Sequence, residues 1–299
     1  MAHPSLRQAL KNDEFILAPG VFDMISAKVA DGMGFRALYA TGFGVTASHL
    51  GLADAGIATY TDMVSRMGTI AKGCKTPVIS DADTGYGGLL NVRHTVRGYE
   101  DAGVTAIQLE DQEVPKKCGH TPGRKVIPAE EMALKIRVAA EARQSEDFLI
   151  IARTDARTAH GLDEAIRRGK MYAEAGADVI FIESPESEAE MAEVGRHIKK
   201  PLFANMVEGG RTPILPAEKL HAMGYRIAIY PAVGFLTVAG ALERAYGKLK
   251  ADGHSNNMTV NADYSFSRMC ELMGFPDVWE FDRKWAEAAG NLPPAKAAE

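Results

Sequence analysis

The feature that most constrains this chain is an alternation. Eight short apolar, β-branched runs, at residues 15–20, 37–42, 77–83, 106–111, 148–155, 179–184, 202–206 and 226–231, are separated by longer segments of helical periodicity. Such runs read as parallel strands, because a parallel strand needs a crossover, usually a helix, to return beside its predecessor. Helical periodicity is clearest over 60–72, 128–143 and 162–176, the second with Pro128 at its first turn and acids just after it. Several helices end at a glycine immediately before a strand, at Gly34, Gly103, Gly176 and Gly224. Glycine there supplies the left-handed cap that turns the chain back into the sheet. Eight units over about 250 residues predict a (β/α)8 TIM barrel rather than a doubly wound sheet. No G-x-G-x-x-G follows the first strand, which argues further against a dinucleotide-binding domain.

Beyond the barrel come a polar linker at 251–258 and two helical stretches near Tyr264 to Met273 and Asp277 to Ala289. The expectation is one barrel domain over residues 1–299 with a C-terminal helical extension at about 255–299. That extension either caps its own barrel or is exchanged with a neighbouring subunit.

Composition excludes several classes of function. The 299 residues are 46% hydrophobic and 24% charged, with a formal net charge of -5 and no basic stripe, so no nucleic-acid partner is expected. No apolar run approaches the ~20 residues that span a bilayer. The polar start lacks the apolar core of a signal peptide, and a cytoplasmic protein is expected. The three cysteines show no C-x-x-C spacing. Cys74 and Cys270 read as small buried hydrophobes, whereas Cys118 stands apart.

In a barrel of this kind, catalytic groups project from the carboxyl ends of the strands. Here those ends carry Tyr39, Thr41 and Gly42, then Asp81 and Asp83, Glu110 and Asp111, Arg153 and Asp155, Glu183, Asn205 and Tyr230. Any one of them reads most simply as a cap for the next helix. As a set they do not, because six acids on one rim repel one another without a cation. Oxygen donors with no histidine cluster point to Mg²⁺ or Mn²⁺ rather than zinc. The D-A-D run suits such a site, since alternate residues of a strand share a face.

The loop over Gln112 to Ile127 is too long for a tight βα turn and reads as a lid. Lys116, Lys117, His120 and Arg124 give it a positive face, and close cations depress a thiol's pKa. Cys118 is therefore a candidate acid or base near neutrality.

D-A-D-T-G-Y-G-G, L-E-D-Q, K-K-C-G-H, A-R-T-D-A-R, A-G-A-D-V-I-F-I-E and A-N-M-V-E-G-G follow one another in order between about Pro19 and Pro231. In this the chain resembles the phosphoenolpyruvate mutase/isocitrate lyase superfamily. The resemblance implies a Mg²⁺-dependent barrel, usually a homotetramer, whose eighth helix packs on a neighbour. It implies Asp83 as the direct metal ligand, with Asp81, Glu110 and Asp54 holding the metal's waters. The backbone of Thr41, Gly42 and Phe43 would cradle a carboxylate of the small-molecule dicarboxylate substrate. Arg153 would stabilise developing charge, and Glu183 and Asn205 would bind the far end. K-K-C-G-H resembles the gating loop of the carbon–carbon lyases, in which the cysteine protonates a departing enolate, and Cys118 argues against a phosphonomutase. T-G-F at the cradle and M-V-E-G-G-R-T-P after Asn205 resemble the 2,3-dimethylmalate lyase and petal death protein group more than the tricarboxylate lyases.

The expected reaction is retro-aldol cleavage of a 2-hydroxy dicarboxylate. Cys118, Arg153, Tyr39, His120 and Lys116 are the catalytic candidates, with Tyr39 a candidate base, and Lys117 and Gly119 are further substrate contacts. The alternative is an oxaloacetate hydrolase giving oxalate and acetate, which Pro231 disfavours, since the dedicated hydrolases carry a serine there. A non-enzymatic thiol sensor is the third class. Pocket shape is expected to depend on Phe43, Val207 and Tyr230.

Overall fold

A computed structural model describes residues 5–119, 121, 123–256 and 264–289. Eight parallel strands close into a barrel: β1 (Ile16–Val21), β2 (Leu38–Ala40), β3 (Val78–Asp81), β4 (Ala106–Glu110), β5 (Leu149–Thr154), β6 (Val179–Ile182), β7 (Leu202–Asn205) and β8 (Tyr225–Tyr230). Each pairs with its sequence neighbours, and β8 returns to β1 with Ile16 opposite Ile227. The eight strands are those the alternation predicts.

Two apolar layers hold the barrel. Inward-facing Ile16, Ile79, Ile151, Phe181, Phe203 and Ile227 fill the interior, together with Leu6 and Ala9 of α1 (Leu6–Lys11). Residues of opposite parity, such as Leu38, Val78, Ile107 and Ile150, face the surrounding helices in a second, larger cluster. Both faces of β2 to β7 are buried, as in parallel sheets generally, while Leu17 on the outer face of β1 is exposed.

The helices also follow the sequence pattern. The stretches expected at 60–72, 128–143 and 162–176 are α4 (Tyr60–Gly73), α6 (Ala129–Ala142) and α8 (Leu162–Glu174). Pro128 is the N-cap of α6 rather than a first-turn residue. Gly34, Gly103, Gly176 and Gly224 all have positive φ, between 80° and 114°, as their capping role requires.

Contacts divide the chain into two compact units that meet between Leu236 and Thr237. That division falls inside α11 (Val233–Asp252). In the second unit, α12 (Phe266–Leu272) and α13 (Phe275–Ala289) follow. No helix among the described residues is long and apolar enough to cross a membrane.

Candidate active site

The carboxyl end of β3 delivers two acids to one place, by a turn rather than by strand alternation. β3 ends at Asp81, and Asp83 lies beyond it with φ 47°. Asp81 Oδ1 accepts the Asp83 amide at 3.0 Å, which fixes that turn. The D-A-D spacing was expected to work through the pleat of a strand. Here the pleat has already stopped, and a left-handed residue brings the second carboxylate round.

Beside it, the neighbouring strand β2 runs through Thr41 into α3 (Gly42–Leu50). The Thr41 amide is engaged by Val21 O at 3.1 Å. Gly42 and Phe43 therefore present the open first-turn amides, where a helix favours an anion. Gly42 is required by packing, since a Cβ there would lie 2.4 Å from Asp81 Oδ2.

Lys116 enters the acids from the lid. Its Nζ lies 2.7 Å from Asp83 Oδ1 and also pairs with Asp54. All three side chains are less than a tenth exposed. Burial pushes the Asp83 carboxyl up to about 7; Lys116 opposes the rise, and Asp81 and Asp54 add to it. Burial likewise holds Glu110 well above its usual range, against the pull of Arg153. For Lys116 itself, burial would lower the pKa, but Asp83, Asp81, Glu110 and Asp54 outweigh it and hold the ammonium charged. Glu110 Oε1 is a buried oxygen without a hydrogen-bond partner, whereas Asp83 Oδ1 is taken by Lys116. Four acids and one orphaned oxygen are donors of the kind a hard divalent cation takes, although with Lys116 seated between Asp54 and Asp83 no three acids among the described residues are grouped to hold one.

The second polar group centres on Arg153, at the end of β5. Its Nε and Nη2 donate to the two oxygens of Asp155, each at 2.9 Å. Glu110 and Glu183 stand 3.4 Å from the guanidinium, and the ring of Phe181 lies 5.1 Å beneath it. Glu183 is oriented by Asn205 Nδ2 at 3.0 Å and by the Ser184 hydroxyl at 3.0 Å.

The lid lies over both groups. An antiparallel bridge between Gln112 and Val126 closes its base. The Gln112 amide grips the Lys117 backbone on both sides, at 2.8 and 3.0 Å. The Cys118 amide donates to Asp54 O at 3.1 Å, and Arg124 Nη1 to Asp155 Oδ1 at 2.6 Å. Gly119 comes so close to the barrel that a Cβ would lie 2.4 Å from Arg153 Nη2.

Beneath the lid is a cavity of about 270 Å³. Cys118, Lys116, Lys117 and Gly119 of the lid line it together with Asp54, Asp81, Glu110, Arg153 and Asn205. Tyr39, Thr41 and Phe43 complete the predicted wall. Gly42, Asp83 and Glu183 lie behind it, touching residues that line it. His120 falls outside the described residues. Tyr39 donates its hydroxyl to Gln108 Oε1 at 3.0 Å. Burial first, and then Asp81, raises its pKa well above the usual value, which disfavours direct proton abstraction by the phenol.

Two expectations about pocket shape change. Tyr230 is not in the wall; Ile229 and Pro231 on either side of it are, because alternate strand residues point opposite ways. Phe235 and Leu236, which sequence reasoning missed, close the apolar side with Val207. Phe235 stacks on Phe43, with ring centroids 5.1 Å apart and planes 13° apart. The first turn of the last barrel helix carried no polar signal to mark it.

Residues 6–250 match the family model described as phosphoenolpyruvate phosphomutase. The chain is 47% identical to 2,3-dimethylmalate lyase of Eubacterium barkeri over 281 residues, covering 94% of this chain and 97% of that one. It is 39% identical to a 2-methylisocitrate lyase of Aeropyrum pernix, with 96% and 92% covered. Among solved structures, oxaloacetate acetylhydrolase in complex with 3,3-difluorooxalacetate superposes with a TM-score of 0.89 at 36% identity, covering 97% of this chain and 98% of that one. A 2,3-dimethylmalate lyase superposes with 0.89 at 38% identity, covering 98% and 97%. Phosphonopyruvate hydrolase in complex with oxalate and Mg²⁺ superposes with 0.84 at 30% identity, covering 94% and 97%.

Proposed function

Since the chain belongs to the phosphoenolpyruvate mutase/isocitrate lyase superfamily, we propose that it is a Mg²⁺-dependent carbon–carbon lyase that cleaves a 2-hydroxy dicarboxylate of the C2-substituted malate type. The observation that carries this reading is the position of Cys118, which lines one cavity with both the acid cluster and Arg153. A thiol in the wall of a cavity that also holds acids and an arginine is placed to act as an acid toward a carbanion.

Asp83, Asp81, Glu110 and Asp54 would hold the metal. When bound, Mg²⁺ would polarise the hydroxyl and carboxylate that become the α-keto acid, with Mn²⁺ as a substitute. The open amides of Gly42 and Phe43 donate to that carboxylate, and Tyr39 enters as a neutral donor. The bond between the hydroxyl-bearing carbon and its neighbour breaks, the alcohol gives its proton to one of the acids of the cavity wall, Asp81 or Glu110, and becomes the keto group, and the electron pair moves toward the second carboxylate. Arg153, with Lys117 and His120 of the lid, stabilises that charge. Glu183 and Asn205 hold the far end. Cys118 then gives its proton to the new carbanion while the seated lid excludes water. With 2,3-dimethylmalate the products balance as pyruvate and propionate.

Hydrolysis of oxaloacetate is the second reading, supported by the likeness to the acetylhydrolase. Pro231 in the wall supplies no hydroxyl there and favours the lyase. A screen of C2-substituted malates, methylisocitrate and oxaloacetate with Mg²⁺, read as α-keto acid and as oxalate, separates the two. Release of oxalate alone would overturn the lyase reading.

Self-association as a homotetramer is part of the same proposal. It is supported by Phe266, Trp279, Phe281 and Trp285, exposed on α12 and α13, since large exposed apolar patches mark interfaces. Sedimentation velocity tests it, and a monomer at micromolar concentration would contradict it.

A further inference from the structure

Asp155 follows β5 directly and precedes α7 (Ala156–His160), where an aspartate would ordinarily cap the helix. It does not: its side chain makes no cap hydrogen bond, unlike Asp23, Thr59 and Ser187 at their helices. Both oxygens are given to arginines instead. Oδ2 and Oδ1 take Arg153 Nε and Nη2 in a fork, and Oδ1 is shared with Arg124 Nη1 of the lid. The carboxylate is wholly buried, and both guanidiniums are less than a tenth exposed. From below, Asp111 Oδ1 accepts the Asp155 amide at 2.9 Å, while its other oxygen takes Thr154, Tyr172 and Arg168. Arg124 is held a second time, by Thr158 Oγ1 at 2.7 Å.

One oxygen thus joins an arginine of the rigid barrel to an arginine of the lid. We infer that Asp155 is a positioning residue through which docking of Arg124 sets the orientation and charge of Arg153. With Arg124 away, the fork to Asp155 is undivided and holds the Arg153 charge close to that carboxylate. With Arg124 docked, the 2.6 Å contact draws on the same oxygen, and more of the Arg153 charge is left for the cavity. The lid would then activate the site as well as cover it. This inference rests on the proposed role of Arg153.

The test compares Arg124→Met, Arg124→Lys, Asp155→Asn, the Arg124→Met/Asp155→Asn double variant and Arg153→Met. Turnover is measured with Mg²⁺ on 2,3-dimethylmalate or oxaloacetate, whichever the wild type consumes. Arg124→Met is expected to lower kcat about tenfold or more while KM moves less than about threefold. Arg124→Lys should recover most of that loss. The double variant should be no slower than Asp155→Asn alone, because coupled residues do not add. A residue that merely staples the lid would raise KM and lid hydrogen exchange but spare kcat at saturation, and that result overturns the inference. Multiplying effects in the double variant overturn it too. Should Asp155→Asn fail to fold, the Arg124 variants alone decide by the kcat–KM split. If Arg153→Met keeps wild-type kcat, the proposed role of Arg153 fails and takes this inference with it. If Arg153→Met is inactive and Arg124→Met is silent, the inference alone fails.

Discussion

Lys116, carried by the lid, and Asp83, carried by the turn after β3, form a buried ion pair at 2.7 Å. The lid thereby contributes a cation to the acids proposed to hold the metal. Removing one partner of such a pair strands the other, a loss of roughly 3–5 kcal/mol. Lys116→Met is therefore expected to lower the melting temperature in EDTA by several degrees, and Mg²⁺ is expected to restore most of it. Melting curves with and without metal check this. Equal melting in EDTA would mean the acids do not depend on Lys116.

The raised Asp83 carboxyl gives the metal-free protein a defined pH dependence. With the folded value near 7 and the unfolded value near 4, the folded state holds a proton that the unfolded state has lost. This group's contribution therefore falls as pH rises from about 4 to about 7 and is flat above. Asp83→Asn should remove that slope, and Mg²⁺ should offset the loss at pH 7 and above. Urea titrations in EDTA across this range are the measurement.

Gly119→Ala introduces a Cβ 2.4 Å from Arg153 Nη2 and 3.1 Å from Glu183. The lid must lift or Arg153 must move, and a small misplacement near the chemistry costs about 100-fold in rate. The expected result is a loss of that order in kcat/KM with the melting temperature unchanged. Kinetics and calorimetry on the same preparation decide it.

The apolar wall of Val207, Phe235 and Leu236 predicts selectivity for a substrate with an alkyl substituent. Leu236→Ala removes contact with that substituent but not with the carboxylates, and one or two methyl contacts are worth about tenfold. Turnover of 2,3-dimethylmalate should fall by that factor, while oxaloacetate changes less than about threefold. A parallel loss on both substrates would contradict the assignment.

Much of this was legible in the sequence, for identifiable reasons. The eight strands could be read because most are buried on both faces, which leaves short apolar runs between amphipathic helices. The acids were legible because carboxylates are rare at buried strand ends. What could not be read was turn geometry and direction. Asp83 reaches Asp81 through a positive φ that no spacing encodes, and Tyr230 points away where its neighbours point in. Phe235 and Leu236 look like ordinary helix residues until the barrel closes. Asp155 resembles a cap at the sequence level, and only its geometry shows that the side chain went elsewhere.

The central claim is that Cys118 donates the proton that ends the reaction, and Cys118→Ser tests it most directly. At saturating substrate and Mg²⁺, kcat is expected to fall about 100-fold or more, while oxalate binding in the presence of Mg²⁺ stays within about threefold of wild type. Turnover within a few-fold of wild type would contradict the claim.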